Sequence, residues 1–70
     1  MIKAPYKDFE GNDLFDGDYI EYPSGDRGRV VVMANKENDA DKWRVDYEDG
    51  SPWSRLCLQI GEKGRAVKAN

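Results

Sequence analysis

Apolar positions along this 70-residue chain fall in short alternating runs separated by turn residues, and none has the length or period of a long helix. From Asp18 to Tyr22, Tyr19 and Glu21 fall on one face and Ile20 and Tyr22 on the other, the period of a half-buried strand. Gly17 opens that run and Pro23-Ser24-Gly25-Asp26 closes it; glycine reaches the left-handed backbone of tight turns without strain. The next strand runs from Arg27 to Ala34, centred on Val30-Val31-Val32. Three successive valines fit a strand covered on both faces, or a bent central strand shared by two sheet halves. Trp43, Val45 and Tyr47 share one face of a further strand, with Arg44 and Asp46 on the other. Glu48-Asp49-Gly50 predicts a hairpin turn, and Ser51–Ser54 a short return strand whose Pro52 suits a sheet edge.

The remaining segments carry weaker patterns. Residues 1–5 read as a loose arm. Tyr6 and Phe9 stand three apart, which breaks strict alternation, and Glu10-Gly11-Asn12-Asp13 is a turn. Asn35–Asp41 is a polar loop with no core residue. Ser54-Arg55-Leu56 fits one helical turn, while Leu56, Leu58 and Ile60 repeat with period two, as a last strand or as a segment dipping into the core. Gly61–Gly64 is another turn, Arg65-Ala66-Val67 adds a short strand, and residues 68–70 should fray. Residues 1–70 therefore predict one all-β domain, a small barrel of five to six short antiparallel strands with loose ends at about 1–5 and 68–70.

Two stretches resemble known domains. Gly17-Asp18-Tyr19-Ile20 through Gly28-Arg29-Val30 resembles the KOW pattern of ribosomal proteins and transcription elongation factors. Trp43-Arg44-Val45-Asp46-Tyr47-Glu48-Asp49-Gly50-Ser51, with Leu56 after it, resembles the W-x-V-x-Y-x-D-G-S stretch of Tudor-like domains. Together they imply an SH3-like barrel of the KOW/Tudor type. The whole chain, including Ser54-Arg55-Leu56-Cys57-Leu58-Gln59-Ile60-Gly61, is similar to small proteins encoded by phages and prophages, which implies the cytoplasm of a bacterial host. These motifs speak to fold more than to function.

Composition narrows the chemistry. Charged residues are 36% of the chain and hydrophobic ones 39%, yet two Trp, four Tyr and two Phe argue against a disordered chain. The formal net charge is −3 and uneven: residues 1–26 carry two cations against seven acids, residues 27–70 nine against seven. A generic basic nucleic-acid binder is not expected. The single Cys57 excludes an intramolecular disulfide and fits a reducing compartment. The chain start lacks the pattern of a signal peptide, and no stretch approaches the roughly 18 apolar residues of a membrane span, so no membrane partner is expected.

Histidine is absent, which removes the commonest general base at neutral pH and the commonest zinc ligand. Cys57 sits between Leu56 and Leu58, the setting of a packed thiol rather than an activated nucleophile. Asp8, Glu10 and Asn12 begin like a calcium loop, but Asp13 stands where that loop needs glycine. Gly25 and Gly28 precede no G-K-[ST] and are turn and strand-crossing glycines. An enzyme, a cofactor and a metal site are all unexpected.

Two constellations could carry binding. Tyr22, Tyr47, Trp53 and the neighbouring Arg55 are candidates for a protein partner. In Tudor-like domains, strand-end aromatics form a cage for methylated Lys or Arg, although Trp43 and Tyr47 alternate with Val45 as core residues do. Arg27, Arg29 and Arg44 are candidates for nucleic acid, as the KOW resemblance implies, unless they pair with acids across strands. The leading expectation is a non-enzymatic interaction module that binds a host or phage protein near Trp53, Arg55 and the 35–42 loop. The alternative is RNA or DNA binding through the arginine face. A third reading, an acidic decoy presenting the N-terminal carboxylates, suits a net charge of −3 poorly.

Overall fold

The computed structural model describes residues 2–69 and builds them around one six-residue strand. That strand, β4 (Arg27–Val32), is the middle of a five-stranded antiparallel sheet. β3 (Tyr19–Glu21) and β7 (Val67–Ala69) lie to one side of it, β5 (Trp43–Asp46) and β6 (Ser54–Arg55) to the other. β1 (Lys3–Lys7) and β2 (Asp13–Phe15) form a separate antiparallel pair. Two single helical turns, α1 (Asp39–Lys42) and α2 (Leu56–Gln59), complete the order of elements. The fold is all-β, in two sheets rather than one continuous closed ladder.

Register places the core on one face of the large sheet. Val30 lies opposite Val45 and both are fully buried; Val32 lies opposite Trp43, which is almost fully buried. Ile20, Leu14, Ala4, Leu56, Ile60 and Ala66 complete the cluster. The valine run behaves as its pattern predicts: Val31 points to the opposite face, across from Arg44, and is still only 9% exposed. Gly28 lies opposite Ile20, and a Cβ there would collide with Val45 Cγ1 and touch the Tyr47 ring. The strand crossing thus needs a residue without a side chain. Gly17 and Gly25 hold φ values of +95° and +93°, the turn geometry expected of them.

Several expectations are corrected. The arm over residues 1–5 is strand from Lys3 onward, because Ala4 is small enough to sit buried against the core. Met1 lies outside the described residues, as does Asn70. At the other end β7 pairs with β3, so residues 67–69 are held rather than frayed. The described residues form seven strands, β1 and β2 having no clean alternation to announce them. Leu56, Leu58 and Ile60 form no strand. One helical turn places Leu56 and Ile60, four apart, on the buried side and leaves Leu58 61% exposed. Residues 51–53 are outside the ladder too: β6 begins at Ser54, after Pro52, which has no N–H to give. α1 rises inside the polar 35–41 stretch, capped by the Asn38 side chain, which accepts the Asp41 N–H at 3.2 Å. It buries no residue, as that composition predicts.

Asp8 joins the two sheets. It is the one buried charged residue among those described, 6% exposed. Oδ1 accepts the backbone N–H groups of Glu10 (2.9 Å) and Asn12 (2.7 Å); Oδ2 accepts the Asn12 side-chain amide (3.0 Å) and the Lys68 backbone N–H (2.7 Å). Next to it, the Phe9 N–H donates to the Ala66 carbonyl at 3.1 Å. Burial alone raises a carboxyl pKa, but here the hydrogen bonds from Lys68, Asn12 and Glu10 together outweigh it and hold Asp8 below its ordinary value.

Two predictions follow from this packing. Asp8→Ala removes the acceptor of four partly buried hydrogen bonds and should cost about 2–4 kcal/mol in urea unfolding. Because the folded-state pKa of Asp8 is depressed, its contribution is complete above the ordinary carboxylate range and fades as pH falls through it. The stability gap between wild type and Asp8→Ala should therefore narrow at acid pH; a gap independent of pH would contradict the clamp. Gly28→Val should prevent cooperative unfolding altogether, read as loss of a sigmoidal thermal transition.

Candidate functional site

The outer face of the five-stranded sheet carries the charged residues. Directly paired residues of antiparallel strands share a face, so Tyr19, Arg29 and Asp46 form one row and Glu21 and Arg27 a second. Val31, Arg44 and Arg55 form a third. Arg27, Arg29 and Arg44 thus do share a face, and Arg55 joins them. Each meets a carboxylate: Arg27 Nε lies 2.9 Å from Glu21, Arg29 3.5 Å from Asp46 and 3.8 Å from Glu48, and Arg44 3.6 Å from Asp41. Arg55 lies 2.7 Å from Asp41. The surface is a ladder of alternating sign rather than a continuous positive stripe. Arg29 Nε, buried without a hydrogen bond, faces the Glu48 carboxylate of that same ladder. The Tyr19 hydroxyl donates to Glu48 at 3.0 Å, which raises its pKa.

The other predicted residues divide between two places. Trp53 is 43% exposed, in the stretch between Pro52 and β6. Its carbonyl accepts from Arg44 at 3.5 Å, and Arg44 Nε donates to the Asp41 carbonyl at 2.8 Å. With the Arg55–Asp41 ion pair, these contacts gather Trp53, Arg44, Arg55 and the 35–42 segment into one corner. Arg44, expected with Arg27 and Arg29, belongs equally to this corner.

Tyr22 and Tyr47 lie elsewhere and are not an open cage. Their rings stack with centroids 6.1 Å apart at 29°, too close to admit a cationic group between them. Their hydroxyls are 2.8 Å apart, and Tyr22 donates to Gln59 Oε1 at 3.0 Å. The Tyr22 proton is committed to Gln59, so Tyr47 donates to Tyr22. Burial, then the Tyr47 bond, push the Tyr22 pKa far above its ordinary value.

This pair floors an open groove of about 720 Å³. Pro23, Ser24 and Asp26 line it from the β3–β4 turn, Asp49 from the β5–β6 loop, and Lys63, Gly64 and Arg65 from the turn before β7. Hydrogen bonds from Ser51 hold the exposed Asp49 carboxyl below its ordinary pKa. Gln59, Lys63 and Arg65 were not legible as one site with Tyr22, since Tyr22 and Gln59 stand 37 positions apart in the chain. Asp26 and Asp49 were equally hidden, as ordinary turn residues.

Among the described residues, no three His, Cys, Asp or Glu side chains are grouped to hold a metal ion. No helix among them is long and apolar enough to cross a membrane. In comparisons with known proteins, no family model, curated protein or solved structure matches the chain.

The hydroxyl chain is the testable element of this floor. Tyr22→Phe removes two hydrogen bonds at half-buried sites and should cost about 1–3 kcal/mol in chemical denaturation. Leu or Val contacts elsewhere in the core are untouched, so the unfolding slope should not change.

Proposed function

We propose that this chain is a non-enzymatic interaction module that binds a protein partner through the corner built by Trp53, Arg55 and the 35–42 segment. The observation that carries this reading is the exposure of Trp53, 43% open beside the Arg44–Asp41–Arg55 contacts. Tryptophan and arginine dominate the energetics of protein interfaces, and a tryptophan left in water is costly unless something covers it. The absence of histidine from the sequence supports the non-enzymatic part. The two sheets, linked through Asp8 and Phe9, are read as the halves of an SH3-like barrel. The resemblance to phage and prophage proteins supports a partner in a bacterial cytoplasm.

Nucleic acid along the outer face is the second reading. Its support is the common face of Arg27, Arg29, Arg44 and Arg55. Phosphates there would have to displace Glu21, Asp46, Glu48 and Asp41, which makes this reading the weaker one.

Affinity capture from a bacterial lysate, with and without nuclease treatment, separates the two, using wild type, Trp53→Ser and an Arg27→Ala/Arg29→Ala variant. A protein retained by wild type and by the arginine variant, but lost with Trp53→Ser, is the expected result. Capture that disappears with nuclease and with the arginine variant, while surviving Trp53→Ser, would overturn the proposal in favour of nucleic acid.

A further inference from the structure

We propose that the groove floored by Tyr22 and Tyr47 is a self-association surface, whose occupant is the same groove of a second copy of this chain. On the outer face of the sheet every arginine has a carboxylate within 4.0 Å. In the groove the pattern reverses. Among the described residues, no carboxylate lies within 4.0 Å of Lys63 or Arg65, and no cation within 4.0 Å of Asp26 or Asp49. The remaining charged lining residue, Arg27, is already bound to Glu21. Two uncompensated cations and two uncompensated carboxylates therefore line one cleft, on different loops, and do not neutralise each other.

A simple anion would satisfy only the Lys63–Arg65 side and meet two carboxylates; a simple cation would meet the converse. The occupant must present both signs at matching separation. A second copy does so when the two-fold axis passes between the two charge clusters, because such an interface is self-complementary: Lys63 and Arg65 of each copy then face Asp26 and Asp49 of the other. The groove is open, so the exposed turn carrying Lys63 and Arg65 can lie across the other copy's floor.

The uncharged lining suits the same purpose. Tyr22, Tyr47 and Pro23 give a rigid amphipathic floor whose tyrosine hydroxyls are bonded to each other and to Gln59, so covering them strands no donor. Phe9, 47% exposed, lies under the Arg65 guanidinium at 5.9 Å and extends the apolar area beyond the groove. A standard interface takes about 800 Å² from each partner, under a fifth of this chain's 4563 Å². Association led by exposed charge pairs is weakened by salt.

Sedimentation equilibrium over a concentration series tests this, with circular dichroism confirming that each variant is folded. The 8.0 kDa chain should approach twice its mass at about 0.1 M salt and return toward monomer at about 1 M, where the Debye length falls from about 10 Å to about 3 Å. Lys63→Glu/Arg65→Glu and Asp26→Lys/Asp49→Lys should each be monomeric at low salt. Mixed in equal amounts, the two should form a heterodimer, since each supplies the sign the other has lost. A wild-type monomer at every concentration and salt would overturn the proposal. So would dimeric charge-reversal variants, or folded variants that stay monomeric on mixing.

Discussion

One buried carboxylate sets the terms for the rest of this molecule. A chain of this size has few apolar residues to bury, and its two sheets share no continuous ladder. Asp8 supplies the missing join, with four donors converging on its two oxygens from the Glu10–Asn12 turn and from β7. Burying a charge without partners would be prohibitive; with each lone pair occupied it becomes a directional fastener that apolar contacts cannot replace. Lys68 is held twice more, its ammonium 3.4 Å from Asp18 and over the Phe15 ring at 5.6 Å. The C-terminal strand is thus fixed to both sheets at once. The turn carrying Lys63 and Arg65 hangs between α2 and that strand, pinned by the Ala66 N–H on the Gln59 carbonyl at 3.0 Å. One wall of the groove, the Lys63–Arg65 turn, thus leads directly into the strand that Asp8 holds.

Charge is distributed by position rather than by overall balance. Four of the seven acids in residues 1–26 are engaged within the fold: Asp8 in the clamp, Asp13 beside Lys3 and Lys7, Asp18 on the Phe15 N–H, Glu21 on Arg27. Exposed pairs of this kind contribute little stability each, of order 0–1 kcal/mol. Their effect is on recognition, since a face with matched signs offers no net field to a polyanion. Charges left unmatched at the groove are informative for the same reason.

The legible part of the fold was the part encoded by alternation. Tyr19 to Tyr22, the valine run and Trp43 to Tyr47 carry period two over several residues, and Gly17 and Gly25 mark turns that only a positive φ can make. β1 escaped because its buried residue is an alanine beside a proline, and neither looks like a strand core. α2 was half legible: a helical turn was expected over Ser54–Leu56 and lies at Leu56–Gln59, while Leu56, Leu58 and Ile60 satisfy a strand period of which the turn buries only two. Asp8 could not be found at all. Its partners lie two, four and sixty positions away, and an isolated Asp before a glycine turn looks like surface. The candidate site divides on the same line: neighbours along the chain such as Trp53 and Arg55 were visible, whereas the groove assembles turns that only tertiary structure brings together.

The two proposed surfaces are connected along the chain through β5 and the loop after it. Its last residues lead from Arg44, which holds the Trp53 carbonyl, through Tyr47, which floors the groove, into the 47–53 loop that returns to Trp53. Glu48 in that loop takes a left-handed φ of +64°, and Asx-type bonds from Glu48 to Asp46 and from Ser51 to Asp49 brace it, so the path between the surfaces is short and stiffened. A dimer joined at the groove would carry two Trp53 corners in fixed relation. Two weak contacts of that kind bind a partner with paired sites far more tightly than either alone, the second engagement being intramolecular. For a domain whose groove is open rather than enclosed, doubling a modest surface is a more accessible route to affinity than enlarging it.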